Sequence, residues 1–175
     1  MDWTKLIFDL IDLRSFSNLW YWIALAVTWS SASHWVLGIP YDMVLRARRA
    51  GGQAEADLED IARINVGRIL YIAGEAGAIL LAMLAFALTT LALLGFVYRV
   101  EFCQAFFLIA APLSGVGLLS VATARRIEAE GDHGEALRRR LALHRVTVQV
   151  IGMVSIFITA FWGMLQNFNL SILPG

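Results

Sequence analysis

Four long stretches without a charged residue constrain this chain more than any other feature of its sequence. They comprise residues 15–41, 76–98, 102–124 and 146–175. Each stretch reaches the roughly 20 residues that a helix needs to cross the hydrocarbon core of a bilayer. Because a segment in lipid must satisfy its own backbone hydrogen bonds, each stretch is predicted to be helical. The predicted membrane spans are approximately residues 18–39, 69–98, 102–124 and 146–168.

The composition agrees with a membrane protein. Apolar residues make up 59% of the 175 residues and charged residues 16%, whereas soluble domains average about 45–50% and about 25%. A soluble chain of this length has too much surface for its volume to bury so many apolar side chains. The single cysteine excludes a disulfide framework and a cysteine-built metal site within the chain, and the net charge of zero argues against a nucleic-acid partner. We therefore expect a single all-α membrane domain over residues 1–175.

The positions of lysine and arginine predict the orientation. Four spans put both termini and the short turn at 98–101 on one side of the membrane, and the loops at 42–68 and 125–145 on the other. Eleven of the 14 Lys and Arg residues lie in these two loops. Because cytoplasmic loops carry the excess of positive charge, the sequence predicts a multi-pass protein of a bacterial inner membrane, with cytoplasmic loops and periplasmic N and C termini.

Both cytoplasmic loops are predicted to be helical hairpins. In the first loop, residues 42–50 continue the first span, Gly51 and Gly52 interrupt the helix, and residues 54–68 resume it. In the second loop, the third span extends to Glu130 and the chain turns at 131–134. The helix that follows is predicted to bury one stripe of side chains, formed by Leu137, Leu141, His144 and Val148.

The N-terminus has a different pattern. Between Trp3 and Leu13, apolar side chains recur on one face of a helical wheel, and Asp2, Lys5, Asp9 and Asp12 share the other. This pattern is typical of a helix lying in the membrane interface. The complete fold prediction is a membrane four-helix bundle with an interfacial amphipathic helix over residues 1–14 and two helical cytoplasmic hairpins.

Three polar side chains are predicted within the bilayer, near its cytoplasmic face: His34, Glu75 and Gln149. An intramembrane carboxylate is costly and indicates a functional site with a nearby partner, for which His34 is the candidate. One interpretation is a proton or ion relay, or a ligand contact. The other is a buried hydrogen-bonded layer that fixes the register of the helices.

No cofactor or metal is predicted. A b-type haem would need two inward-facing histidines at matching depth, and the candidates His34 and His144 differ by roughly 10 Å in depth. The sequence contains no Gly-rich phosphate loop, no zinc-protease motif and no nucleophile elbow, so no catalytic residue is predicted.

Two arginine clusters and three sets of small residues complete the candidate sites. The clusters are Arg46, Arg48 and Arg49, and Arg138, Arg139 and Arg140. They satisfy the positive-inside pattern, and they also suit anionic lipid headgroups or an acidic partner. The small residues are Gly152, Ser155, Thr159 and Gly163 in the fourth span, Ala73, Gly77, Ala78 and Ala82 in the second, and Ala111 and Gly115 in the third. Such spacing lets helices pack closely, either within the chain or against a partner.

Three stretches carry a resemblance that covers nearly the whole chain: Arg14–Ala26, Ser33–Arg49 and Gly51–Asp60. Together they resemble small alphaproteobacterial inner-membrane proteins described as components of the SufBCD complex, the iron–sulfur cluster assembly machinery. The resemblance carries no catalytic motif and assigns no site residue. It implies a link to cluster assembly, with a cytoplasmic complex docking on the arginine-rich hairpins.

The main functional hypothesis is a non-enzymatic accessory, anchoring or assembly subunit of an inner-membrane complex, with membrane lipids and other membrane-protein subunits as its partners. The alternative is a small transporter or ligand-binding bundle that uses the Glu75 and His34 pair. A haem or quinone electron carrier is a third hypothesis.

Overall fold

The computed structural model describes residue 16 and residues 18–172, with side chains as far as residue 168. Within that part of the chain lie six α-helices, a two-stranded hairpin and a π-helical turn. The helices are α1 (Leu19–His34), α2 (Tyr41–Ala50), α3 (Gly52–Glu75), α4 (Gly77–Ala92), α5 (Glu101–Glu130) and α6 (Gly134–Ile172). The interfacial helix predicted for residues 1–14 lies outside the described residues. The prediction of an all-α protein is confirmed.

The first apolar stretch is not one helix. Helix α1 ends at His34, and strands β1 (Trp35–Val36) and β2 (Ile39–Pro40) form an antiparallel hairpin before α2 begins. The prediction of a continuous helix over 18–39 is therefore wrong at its C-terminal end. Pro40 has no backbone N–H to donate and disfavours helical geometry in the residue before it.

The second apolar stretch contains two irregularities. Helices α3 and α4 meet at Ala76, between the glycines at 74 and 77, and α4 continues into a π-helical turn over Leu93–Val97. The chain then reverses within three residues, and α5 begins at Glu101. The predicted end of the second span at Tyr98 agrees with this turn.

The two helical hairpins predicted from the loops are present. Helix α2 ends where Gly51 adopts a φ of 58°, and α3 begins at the next residue. Helix α5 continues to Glu130, and Gly131 closes it with a left-handed φ of 61°, a conformation that glycine adopts at little cost. The stripe predicted for α6 is buried: Leu137, Leu141, His144 and Val148.

Three segments are long and apolar enough to cross a membrane: Gly77–Val97, Glu101–Glu130 and Gly134–Phe168. Helix α1 has 16 residues and is about 24 Å long, which is shorter than a hydrocarbon core of roughly 30 Å. Helix α6, with 39 residues, is about 58 Å long, so it extends well beyond a bilayer.

The apolar helices pack in the order α1, α6, α5, α4. Helix α6 lies between α1 and α5, and α5 lies between α6 and α4. A closed four-helix bundle would also bring α1 against α4, but these two helices have almost no contact within the described residues. The four helices therefore form an open row within the described residues, with α1 at one end and α4 at the other.

A hydrophobic core lies at the end of the molecule formed by the two loops. We call this part the head: α2, residues 52–68 of α3, residues 125–130 of α5 and residues 134–145 of α6. The core packs these segments against the β1–β2 hairpin, and includes Val36, Leu37, Ile39, Val44, Ala47, Leu58, Ala62, Val66, Ala124, Ile127, Leu137 and Leu141. The hairpin turn is held by this core, because Leu37 is buried although its φ of 52° is unfavourable for a side chain.

Candidate functional site

The small-residue stripe of α6 is filled from within the chain. Gly152 lies against the ring of Trp29, and an added Cβ at Gly152 would lie 2.8 Å from Cε3 of that ring. Gly163 makes the same kind of contact with Phe16. All four residues of the stripe are buried, and the Ser155 hydroxyl donates to the Leu108 carbonyl of α5 at 3.3 Å. This seam joins α1 to α6 and is an internal interface.

Small residues of α3, α4 and α5 line an open groove of about 760 Å³, which runs between α3–α4 on one side and α5 on the other. Of the small residues predicted in the second and third spans, Ala73, Gly77 and Ala78 line this groove, whereas Ala82, Ala111 and Gly115 do not. The small residues on its walls are Ala73, Gly77, Ala78, Ser114, Gly117, Ser120 and Ala122. An added Cβ at Gly77 or at Gly117 would meet no atom within 4 Å. The groove therefore has the composition of a helix interface, but no helix among the described residues packs into it.

The walls of the groove offer no free hydroxyl donor. Ser114 donates to the Ala110 carbonyl at 2.6 Å, and Ser120 donates to the Val116 carbonyl at 2.9 Å. The charged residue on its lining is Arg125, at the end nearest the head. Because the rest of the lining is apolar or internally bonded, the groove suits an apolar occupant rather than an ion or a polar solute.

Burial differs sharply between the apolar helices. In the most apolar part of α6, 28% of the residues are buried inside the chain, whereas the share is 6% in both α4 and α5. The surfaces of α4 and α5 that α6 does not cover are thus available to lipid or to another protein.

The predicted polar layer does not assemble. His34 and Glu75 are both exposed, and no hydrogen bond or ion pair joins them in the described part of the chain. Their pairing required α1 to pack against the second span, but α1 packs on α6 and makes almost no contact with α3 or α4 within the described residues. Gln149 is half-buried on α6 and has no hydrogen-bond partner among the described residues.

A different histidine, His144, makes a buried polar contact between α5 and α6. His144 is 4% exposed, and its Nδ1 lies 3.0 Å from the Thr123 hydroxyl, which donates in turn to the Leu119 carbonyl. If that hydroxyl proton goes to Leu119, Nδ1 of His144 carries the proton of their shared hydrogen bond. The contact links α5 to α6, and it uses the His144 nitrogen that faces α5.

A second polar cluster, at the opposite end of the molecule, was not predicted. The Gln104 amide donates to the Gly95 carbonyl at 2.7 Å, and its carbonyl accepts from Trp162 Nε1 at 3.0 Å and from Gln166 at 2.7 Å. Gln104 is 3% exposed. The sequence signal was the four-residue spacing of Trp162 and Gln166, which puts both on one face of α6. Because the Gln104 amide is bonded at both its oxygen and its nitrogen, this cluster fixes the π-helical turn against α5 and α6.

The predicted arginine residues separate into two groups. Arg138 forms an ion pair with Glu55, and Arg140 pairs with both Asp132 and Glu130. These contacts tie α6 to α3 and to the turn before it. Four of the predicted arginines have no ion-pair partner within the described residues: Arg46, Arg48, Arg49 and Arg139.

Two of these unpaired arginines share a crevice. Arg48 of α2 and Arg139 of α6 both line an opening of about 380 Å³ in the head, next to Arg138. Arg46 and Arg49 do not line it. The boundary with the apolar helices lies close by, where the Arg145 guanidinium is 3.9 Å from the centre of the Tyr41 ring and its Nε donates to the Ser33 carbonyl.

Among the residues that the structure describes, no group of three or more His, Cys, Asp or Glu side chains is placed to hold a metal ion. No protein-family model matches the chain, and no curated protein or solved structure matches it.

Proposed function

We propose that this protein is a non-enzymatic accessory, anchoring or assembly subunit of an inner-membrane complex, and that a transmembrane helix of a partner protein binds in the groove between α3–α4 and α5. The observation that carries the proposal is the contrast between two seams of small residues. The seam on α6 is filled by Trp29 of α1 and by Phe16, whereas the groove is lined with small residues and is not occupied by any helix that the structure describes.

The chemistry of the groove favours a helix as its occupant. In lipid, helices associate through close packing, and small residues provide it by letting backbones approach. The α1–α6 seam shows the same principle in this chain, since Trp29 and Phe16 pack directly on Gly152 and Gly163. Apart from Arg125 at the end nearest the head, the lining has no free polar side chain that could bind a transported ion, and Glu75 and His34 do not line the groove. The groove therefore favours the accessory-subunit hypothesis over a transporter based on Glu75 and His34.

The proposal includes four membrane crossings, although α1 is short. At one end of α1, Phe16 packs on Gly163 and its backbone N–H donates to Glu101 at 2.9 Å. At the other end, the Ser33 carbonyl accepts from Arg145. Helix α1 and its flanking residues thus lie along most of the apolar part of α6, which supports a shared crossing. Both termini would then be periplasmic and the head cytoplasmic.

The head supplies the second part of the proposed role. Its buried core gives it a defined shape outside the membrane, and its arginines offer a cationic surface to a cytoplasmic partner. If that partner belongs to the iron–sulfur cluster assembly machinery, as the sequence resemblance implies, the head is the part of this protein that it would contact.

The groove is tested by two glycines in the same helix. Gly117 lines the groove and Gly115 does not, and neither has an atom within 4 Å of an added Cβ. We expect Gly117→Leu to abolish co-purification of a partner in mild detergent, and Gly115→Leu to preserve it. Equal recovery of the partner with both variants, at equal expression, would contradict the assignment of the groove.

The topology is tested separately. Alkaline phosphatase fused after Gly175 is expected to be active, because the enzyme requires the periplasm. An inactive fusion, together with a fluorescent cytoplasmic reporter that is fluorescent at the same position, would exclude a periplasmic C-terminus and with it the proposed orientation.

A further inference from the structure

Two arginine-bearing helices that are distant in the sequence meet at one crevice of the head. Arg48 approaches from α2, and Arg138 and Arg139 approach from α6, around an opening of about 380 Å³. Part of the wall is apolar, formed by the side chains of Val44 and Leu45. The crevice therefore combines convergent positive charge with a non-polar surface.

Two of the three guanidinium groups are available to a ligand. Arg138 is paired with Glu55, whereas Arg48 and Arg139 are exposed and form no ion pair or hydrogen bond within the described part of the chain. Like charges across a crevice repel each other, and a bound anion relieves that repulsion. The planar guanidinium fork matches the oxygens of a phosphate group, with which it forms charge-assisted hydrogen bonds.

The crevice lies at the level where lipid headgroups are expected. The ring of Tyr41, which lines the crevice, packs against the Arg145 guanidinium, and the uncharged part of α6 begins at the residue after Arg145. Arg139 precedes Arg145 by six residues on the same helix, which is about 9 Å along the axis. The headgroup layer on each side of a bilayer is roughly 5–8 Å thick. With Arg145 taken as the boundary of the hydrocarbon core, Tyr41 lies within the headgroup layer and the Cα of Arg139 lies just beyond it, where its long side chain can reach a headgroup phosphate.

We propose that this crevice binds a phosphate-bearing anion, presented by the headgroup of an anionic phospholipid in the leaflet on the head side. The phosphate lies between Arg48 and Arg139, and the apolar wall contacts the glycerol portion of the lipid. The inference rests on the membrane-embedded part of the proposed function and does not depend on a partner in the groove.

The lining also contains a carboxylate, and the proposal predicts in which direction its removal changes the affinity for phosphate. Glu135 lines the crevice and forms no ion pair among the described residues. In a phosphate site its negative charge opposes the ligand, so neutralising it should strengthen binding. An arginine-rich surface without a defined site would show only a small, general response to this substitution.

The experiment titrates the full-length protein in detergent micelles with phosphatidylglycerol or phosphatidylcholine and counts bound lipids by native mass spectrometry. Arg48→Gln and Arg139→Gln should each weaken phosphatidylglycerol binding by about tenfold. Arg46→Gln and Arg49→Gln remove the same charge from exposed arginines outside the crevice, and should change binding by less than about threefold. Glu135→Gln should strengthen binding, and Arg48→Lys should weaken it less than Arg48→Gln.

A parallel titration with soluble glycerol phosphate identifies the source of the phosphate. Binding of phosphatidylglycerol with the expected order of variants, and no saturable binding of glycerol phosphate, supports a lipid site. If the variants rank in this order for the affinity of glycerol phosphate, and phosphatidylglycerol does not bind, the crevice binds a soluble phosphate and the lipid assignment is overturned. Equal effects of crevice and control arginines, or equal binding of phosphatidylcholine, would overturn the proposal, whereas loss of a groove partner would leave it unaffected.

Discussion

Replacing Gly152 with alanine should destabilise the protein, because the seam between α1 and α6 has no room for the added methyl group. The added Cβ would lie 2.8 Å from Cε3 and 3.1 Å from Cδ2 of the Trp29 ring. Carbon atoms in contact prefer about 3.5–4.0 Å, so the helices must separate by about 0.7 Å or the ring must move. Trp29 is 4% exposed, so its ring is enclosed by neighbouring side chains that would have to move with it.

The magnitude is best taken relative to a matched control. Gly115→Ala makes the same substitution inside a neighbouring helix, at a position where nothing lies within 4 Å of the new Cβ. The gain in helix propensity is then common to both variants and cancels. Overpacking costs about 1–3 kcal/mol, and each kcal/mol lowers the Tm of a chain of this size by about 2–4 °C.

The assay is thermal unfolding of the purified protein in one detergent. Gly152→Ala should unfold several degrees below Gly115→Ala, and the difference should shrink in a Trp29→Phe background, because the smaller ring relieves the contact. Equal Tm values for the two alanine variants, or a difference that Trp29→Phe leaves unchanged, would refute the packing of α1 on α6.

Three further outcomes follow from other contacts. Gly95→Ala should lower the Tm, because the new Cβ would lie 2.9 Å from a backbone nitrogen of α5 that cannot move aside; an unchanged Tm would refute this close approach. Glu59→Ala should cost about 1 kcal/mol in thermal unfolding, since the Glu59 carboxylate accepts the Gly134 N–H at 2.7 Å and caps α6, whereas Glu59→Gln should cost less. Glu75→Leu should leave the Tm unchanged, because Glu75 is exposed and does not bond to His34. A loss of more than about 1 kcal/mol in the free energy of unfolding would instead support the predicted contact between Glu75 and His34.

Features set by local chemistry could be predicted from the sequence. The helical hairpins followed from glycines that interrupt helices at 51 and 131, and the buried stripe of α6 followed from the spacing of Leu137, Leu141 and His144. Hydropathy identified the long apolar segments. It failed after His34 because an apolar run does not distinguish a helix from a short hairpin, and the proline at 40 was the stronger signal.

Features that depend on which helices are neighbours could not be predicted. Matching depth suggested that His34 faces Glu75, but depth says nothing of the order in which helices pack around each other. The same limit hid the Gln104 cluster, whose members come from α5, α6 and the π-helical turn. The arginine clusters were visible in the sequence. Which arginines form ion pairs and which line the crevice depends on how α2, α3 and α6 pack against each other.

The most direct test of the proposed function is photocrosslinking from the groove in native membranes. A benzoylphenylalanine at Leu118 or Leu80, both exposed on the groove lining, should form an adduct with one partner protein. The same probe at Phe157 or Phe86, which are exposed outside the groove, should react with lipid only. A discrete protein adduct from the groove positions alone is the result that the account predicts. No protein adduct from Leu118 and Leu80, or the same adducts from all four positions, would contradict it.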